Sequence, residues 1–438
     1  MLDSKASVID KEERPEVLQL LGDVEGLRIV ELGAGIGRFT GELARTADSV
    51  LAIDFMENLI EQNKANNGDR ENVQFRVADV TELELQAGAY DLVFSNWLLM
   101  YLSDDEVAKL AANLLSWVCE GGHIFFRESC FRQSGDKKRA NNPTHYRNPR
   151  EYFRIFDDVE IQQEDGRFAH FELVYCKCVD TYVRVKQNQN QVCWKFCKVV
   201  RDGPREIDYR HHLDGTQYSS SSIARYERVF GSGYISTGGA ETTKEFTAML
   251  RLQPDEQVLD VGCGIGGGDF FMATTYGCYV YGIDLSVNAV LSALERAAAR
   301  GNDLKVSFEI SDCTKRKFPE DSFDVVYSRD TILHIHDKAA LFARLFKVLK
   351  PGGRLLITDY CRGAGEASED FRSYIDNRKY DLQTVEEYAA LLRQAGFVDV
   401  MGLDKSSQFS TCLSKELADL EQSKEAFIRD FSLPDYNE

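Results

Sequence analysis

Ile29-Val30-Glu31-Leu32-Gly33-Ala34-Gly35-Ile36-Gly37 and Val258-Leu259-Asp260-Val261-Gly262-Cys263-Gly264-Ile265-Gly266-Gly267-Gly268 are two copies of one fingerprint, about 230 residues apart in a chain of 438. Each is an apolar strand that runs into a glycine-spaced turn and then a helix. Glycines are needed where the backbone bends sharply and lies against a ligand. About twenty residues after each turn a short apolar strand ends in an acid, Leu51-Ala52-Ile53-Asp54 and Tyr281-Gly282-Ile283-Asp284. A carboxylate there can accept both ribose hydroxyls of an adenosine.

The repetition extends well past the turns. Phe75-Arg76-Val77-Ala78-Asp79-Val80 answers Phe308-Glu309-Ile310-Ser311-Asp312-Cys313. Tyr90-Asp91-Leu92-Val93-Phe94-Ser95 answers Phe323-Asp324-Val325-Val326-Tyr327-Ser328, and Glu120-Gly121-Gly122-His123 answers Pro351-Gly352-Gly353-Arg354. Landmarks in the same order and near-constant register mean a tandem duplication. Length alone would suggest about three domains, but the repeat implies two, each able to bury a core. Strands alternating with helical spacing at Gly41–Ala44, Val107–Leu115, Ala289–Leu294 and Leu341–Leu345 imply βαβ units. The expected fold class is α/β: two tandem Rossmann-like domains, each a mostly parallel sheet flanked by helices. Ligands on such sheets sit at the carboxyl ends of the strands, where both turns and both acids fall.

Between the halves, Phe171–Cys178, Thr181–Val185 and Val192–Phe196 read as the antiparallel last strands of the first domain, with Lys186–Gln191 as their hairpin. The boundaries expected are 1–200 for the first domain, 201–214 for a linker and 215–438 for the second, with Val200–Glu206 as the loosest stretch.

The formal net charge is −19. No basic stripe is present, which makes nucleic acid a poor partner. No apolar run approaches 18 residues and no signal peptide opens the chain, so no membrane partner is expected and the compartment expected is the cytoplasm. The 11 cysteines are scattered. Cys176-Lys177-Cys178 has no second pair to complete a zinc site, so no metal is expected and the thiols read as buried and reduced.

The glycine spacing is GxGxG rather than GxGxxG. Each half also carries a second acid, Asp79 or Asp312, followed by Val80 or Cys313. That placement suits an adenine amino group on the Asp and a ring nitrogen on the next backbone N–H. It is the arrangement of class I methyltransferases, and it favours S-adenosyl-L-methionine over a nicotinamide dinucleotide.

Longer motifs then become decisive. In the second half these are Gln217-Tyr218-Ser219, Arg225–Gly231, Gly233–Gly239, Tyr327–Ile335, Thr358–Cys361 and Asn377–Tyr380. In the first half they are Ser95–Leu102, Phe126–Cys130 and Asn142-Pro143-Thr144-His145-Tyr146-Arg147. Over nearly its whole length the chain resembles the plant-type tandem phosphoethanolamine N-methyltransferases. The resemblance implies three successive methylations of phosphoethanolamine to phosphocholine, each an in-line attack of the amine on a methyl sulfonium. Positioning of this kind can supply about 7–11 kcal/mol.

The same resemblance implies the site residues. A Tyr218–His334 pair would sit over the amine, where an imidazole of reference pKa about 6.5 can take its proton. Gln217, Tyr218, Tyr226, Arg329, Tyr360, Arg378 and Tyr380 would hold the substrate, the arginines offering planar forks for phosphate oxygens. Cofactor positions would be Ile235, Ser236, Gly262, Ile283, Asp284, Asp312, Cys313 and Arg329 in the second half, and Gly33, Arg38, Asp54, Asp79, Val80 and Asn96 in the first. His336 reads as solvated, Asp330 as structural or next to the cofactor, and Trp97 as a wall of the first site.

The halves are not equivalent. Aligning Ser95 with Ser328 sets Asn96 opposite Arg329 and Tyr101 opposite His334. The first half therefore lacks the proton acceptor and the phosphate fork at those places; His145, Tyr146 and Arg147 are its substrate candidates. The resemblance implies that the first domain methylates phosphoethanolamine and the second completes the later steps. Both ends look short against the family. A lid segment would precede the stretch matching Met1–Ser7, and a segment with a phosphate-binding lysine would follow the stretch matching Ser432–Asn437. The expectation is a truncated gene model or splice form; if the chain is complete, the first domain should be impaired and the second should have a raised KM. The chain is expected to act as a monomer. Alternatives are a methyltransferase for another small amine and a pseudoenzyme that holds the cofactor without turnover.

Overall fold

The computed structural model describes residues 6–133, 143–205, 207–300 and 305–437. Met1–Lys5, Asn142, Glu206 and Glu438, which carry parts of the motifs and boundaries above, lie outside the described residues. The chain divides into two compact units, residues 1–207 with 297–303, and residues 208–296 with 304–438.

In the first unit, α1 (Ala6–Leu21) precedes β1 (Arg28–Leu32), α2 (Thr40–Leu43), β2 (Ser49–Asp54), α3 (Glu57–Asn67), β3 (Val73–Val77), β4 (Tyr90–Asn96), α4 (Asp104–Trp117) and β5 (Val118–Ser129). Then come α5 (Pro149–Asp157), β6 (Glu160–Gln162), β7 (Phe168–Cys178), α6 (Asp180–Lys186) and β8 (Gln191–Arg201). The strand order is β3-β2-β1-β4-β5-β8-β7, with β6 on β7. β1 to β5 are parallel, and β5–β8, β8–β7 and β7–β6 are antiparallel. Helices on both faces favour long apolar runs in the inner strands: Ile29, Val30 and Leu32 of β1 are buried, as are Leu92, Val93 and Phe94 of β4. Local chemistry sets the helix starts. Ser103 and Glu106 form a reciprocal capping box at α4, and Asn148 and Glu151 do so at α5, with Pro149 in its first turn.

The second unit has α7 (Tyr209–Gly215), α8 (Ser220–Phe230), α9 (Gly239–Met249), β9 (Gln257–Val261), α10 (Gly267–Tyr276), β10 (Tyr279–Asp284), α11 (Val287–Arg300) and β11 (Val306–Ile310). β12 (Phe323–Arg329), α12 (Lys338–Val348), β13 (Leu349–Thr358), α13 (Glu369–Arg378), α14 (Val385–Ala395) and α15 (Ser406–Gln422) follow. Its strands run β13-β12-β9-β10-β11, all parallel. In both units the glycine turn leaves the central strand between two neighbours in register: Leu32 lies beside Ile53 and Ser95, and Val261 beside Ile283 and Ser328.

Three expectations are corrected. Thr181–Val185 is helical, inside α6, although its β-branched residues favour a strand. No local side chain caps α6; Glu16 of α1 does so, accepting from the backbone N–H of Asp180 and Thr181 and from the Thr181 hydroxyl. Lys186–Gln191 is not a bare hairpin: Lys186 ends α6, Gln187 caps it at φ +53°, and Gln191 begins β8. The stretch expected as a linker contains the end of β8 at Arg201 and all but the last residue of α7.

Candidate active site

The second unit carries an open cleft of about 1650 Å³ whose lining runs from the glycine turn past a cluster of aromatic hydroxyls and on along β13. At one end, Gly262 stands at φ +87°, and a Cβ there would strike the Thr331 side chain. The Asp284 carboxylate braces the turn, its Oδ2 accepting from Gly264 N and its Oδ1 from Ser286 N, at 2.9 and 2.8 Å. Burial raises this carboxyl to about 6 despite both bonds. Asp312 folds Oδ1 back onto the Thr314 N–H and hydroxyl, at 2.9 and 2.6 Å. Ile235 lies over Gly264, and Ile283, Ser236 and Cys313 line the same end.

At the other end His334 closes a one-turn 3-10 helix after β12. Its Nδ1 lies 2.9 Å from the Tyr209 hydroxyl and its Nε2 3.4 Å from the Tyr218 hydroxyl. The Tyr380 ring meets the imidazole edge-on at 4.9 Å. Burial, then the charges of Arg378 and Lys338, lower His334 to about 4, so the ring is neutral at neutral pH. Burial raises the Tyr218 hydroxyl well above its ordinary value. Gln217 Nε2 donates to the hydroxyls of Tyr218 and Tyr380, at 3.4 and 3.1 Å. The Arg378 guanidinium lies beside the hydroxyls of Tyr226 and Tyr380 and over the Tyr374 ring at 5.1 Å. Tyr360 lines the same wall, and His336 is exposed.

Arg329 departs from its expected fork. Its Nη1 donates to Thr243 Oγ1 and the Gly239 carbonyl, and its Nη2 to the Thr237 carbonyl and Thr242 Oγ1, at 2.5–3.3 Å. The terminal donors are thus spent on the start of α9, whereas the Arg378 guanidinium faces tyrosine hydroxyls on the cavity wall. Asp330, at φ +50°, accepts from Thr358 Oγ1 at 3.3 Å and lies 3.7 Å from Arg329 Nε, on the cavity wall. Tyr209 is the functional candidate that sequence reasoning missed, because it falls in the stretch read as a linker.

The first unit repeats the cofactor end. Gly33 is at φ +71°, and Asp54 accepts from Gly35 N and Met56 N, both at 2.9 Å. Asp79 accepts from the Thr81 N–H and hydroxyl, and Val80 is buried. The acceptor end differs. Asn96 ends β4 with its side-chain oxygen buried and without a hydrogen bond. Trp97 sits at φ +62°, donates Nε1–H to Gln191 Oε1 at 2.7 Å, and stacks on the Arg127 guanidinium at 3.9 Å. Arg127 is fully buried and pairs with Glu13 of α1. Arg38 pairs with Asp10 and Glu13, so α1 carboxylates occupy the guanidinium expected at a cofactor. Arg147 is likewise spent: buried, it donates to Asp104 and to the carbonyls of Leu99 and Leu102. His145 and Tyr101 are exposed and Tyr146 is half-buried.

Two family models described as a methyltransferase domain match the chain, over residues 29–122 and 252–407. A phosphoethanolamine N-methyltransferase of Triticum aestivum is 54% identical over 440 residues, covering 100% of this chain and 86% of that protein. Phosphoethanolamine N-methyltransferase 3 of Arabidopsis thaliana is 55% identical over 440 residues, covering 100% and 89%. Among solved structures, phosphoethanolamine N-methyltransferase 2 of Haemonchus contortus with S-adenosyl-L-methionine superposes with a TM-score of 0.79 at 25% identity, over 98% of this chain and 92% of that one. The same protein with phosphomonomethylethanolamine and S-adenosylhomocysteine matches with the same TM-score.

Proposed function

The chain belongs to the phosphoethanolamine N-methyltransferase family, and we propose that it converts phosphoethanolamine to phosphocholine through mono- and dimethyl intermediates. S-adenosyl-L-methionine is the donor, and bound at the glycine turns it supplies the electrophilic methyl group. The residues fit it: Gly262 bends the backbone at φ +87° on the cavity wall, Asp284 and Asp312 face the same cavity, and Asp54 and Asp79 repeat the pattern in the first unit. The observation that supports the reading best is the continuity of that cavity, with Asp284 at one end and His334, Tyr218 and Arg378 at the other.

Asp284 and the turn hold ribose, and Asp312 with the Cys313 N–H holds adenine. Ile283, Ile235 and Ser236 wall this end. An ammonium has no lone pair, so it must lose a proton before attack. With one imidazole proton at Nδ1 directed to the Tyr209 oxygen, the Nε2 lone pair of His334 faces Tyr218 and the acceptor, and takes that proton. Tyr218 and Gln217 orient the amine. Arg378, Tyr226, Tyr360 and Tyr380 hold phosphate, offsetting a net charge of −19 that repels a dianion. Arg329 positions the start of α9 around them.

In this reading the first unit methylates phosphoethanolamine with Gly33, Arg38, Asp54, Asp79, Val80 and Asn96 at its cofactor, and the second performs the later steps, in a monomer of the cytoplasm. No described helix is long and apolar enough to cross a membrane. The test is incubation of the full chain with phosphoethanolamine and S-adenosyl-L-methionine, with products followed by mass. Phosphocholine should accumulate and ethanolamine should be inert. Equal turnover of ethanolamine, or no methylated product, refutes the reading.

A further inference from the structure

Two carboxyl groups face each other beneath the second glycine turn. Asp260, near the end of β9, is 3% exposed and lines the cavity. Asp269, in the first turn of α10, is fully buried, and among the described residues neither of its oxygens has a hydrogen-bond donor; nor does Asp260 Oδ1. The first unit places Glu31 and Thr40 at the same spacing, and there the Thr40 hydroxyl donates to Glu31 Oε2 at 2.5 Å. A hydroxyl brings its own proton to such a pair. A second carboxylate does not, and two buried anions in contact repel, so a pair of this kind retains a proton. Burial and the neighbouring charges raise both acids above their ordinary range. The start of α10 favours the anion at Asp269, which leaves the proton to Asp260. The other groups facing the pair are Asp284 from β10, Cys263 in the turn, and Tyr327 and Arg329 from β12.

We infer that Asp269 is a positioning residue acting through Asp260: the pair shares one proton and releases it when the ammonium of the donor's amino-acid end reaches Asp260, so that cofactor binding in the second unit is coupled to proton release. The inference rests on the reading that S-adenosyl-L-methionine binds at this turn. Affinity should therefore rise with pH through neutrality, by up to about tenfold per pH unit for one proton. Removing the second acid should let Asp260 ionise at lower pH, which improves binding under mildly acid conditions.

The experiment uses the full chain carrying Asp54→Ala, so that calorimetric heats report the second unit, titrated with S-adenosylhomocysteine between pH 6 and 8 in two buffers of different ionisation enthalpy. The parent should lose about tenfold in affinity from pH 7 to 6 and release close to one proton. Asp269→Asn should lose less than about twofold and bind more tightly than the parent at pH 6. If the amide variant folds poorly, the parent's proton count in the two buffers carries the test by itself. A merely structural role would weaken binding at every pH. A parent that releases no proton, or an unchanged pH slope and proton count in the variant, overturns the inference. A parent that binds nothing at any pH overturns the cofactor reading and the inference with it.

Discussion

At the end of β4 the chain reads Asn96-Trp97, and at the end of β12 it reads Arg329-Asp330. Both second residues stand at positive φ, +62° and +50°. The fold imposes that backbone at the same place twice, at a cost of about 1–3 kcal/mol each time. The side chains it carries are unrelated. In the second unit the bend turns Asp330 onto the cavity wall, four residues after which His334 meets two tyrosines. In the first it lays an indole over a buried arginine, and the position matching His334 is an exposed Tyr101. Duplication preserved the scaffold and the cofactor end while the acceptor ends separated.

The sharpest way to break this contrast is to exchange the proton acceptor for nothing. His334→Ala should slow the later methylations by roughly 10²–10⁴, while Tyr101→Ala should change the first methylation only a few-fold, both read from product masses. Equal losses would mean that the units share one chemistry. The next largest effect concerns the first unit's ion pair. Glu13→Gln strands Arg127 in a dry interior and should cost about 3–5 kcal/mol. Its readout is selective, because the chain's 3 tryptophans, Trp97, Trp117 and Trp194, all lie in the first unit.

Acid should act through His334. Its folded value is about 4, whereas the unfolded imidazole takes a proton near 6.5. Stability is therefore full above about 6.5 and falls as pH drops toward 4, by up to about 3 kcal/mol. His123 in the first unit is also lowered to about 4 by burial, so His334→Asn should flatten the acid limb of the second unit alone. Calorimetric scans at pH 7, 6 and 5 check it. The smallest effect contrasts β5 with β13. Phe125 and Phe126 lie under β8 at 1–2% exposure, whereas Leu355, Leu356 and Ile357 of β13 are only half-buried, and β13 has a strand neighbour on its β12 side alone. The β13 amides should exchange hydrogen well before those of β5.

The glycine turns and the places of Asp54, Asp284, Asp79 and Asp312 at or just after strand ends were legible because they are set locally, by a strand, a turn and a fixed spacing. Thr181–Val185 was not, because the carboxylate that starts α6 comes from Glu16 in α1. No window around residue 181 contains that signal. Arg329 misled for a related reason: the type of residue said fork, while its partners Thr237, Thr242 and Thr243 lie some ninety positions away. Tyr209 was hidden by a composition that reads as a connector.

The open side of β13 carries a practical consequence. Half-buried leucine and isoleucine on an edge strand, beside Val398, Met401 and Leu403 at 83%, 77% and 53% exposure, form a template on which other extended chains can lay themselves. A net charge of −19 opposes such joining in dilute buffer through mutual repulsion. Salt shortens the reach of that repulsion to about 8 Å at physiological strength, so concentrated, salty samples should turn cloudy through folded molecules joining edge to edge, at temperatures well short of melting.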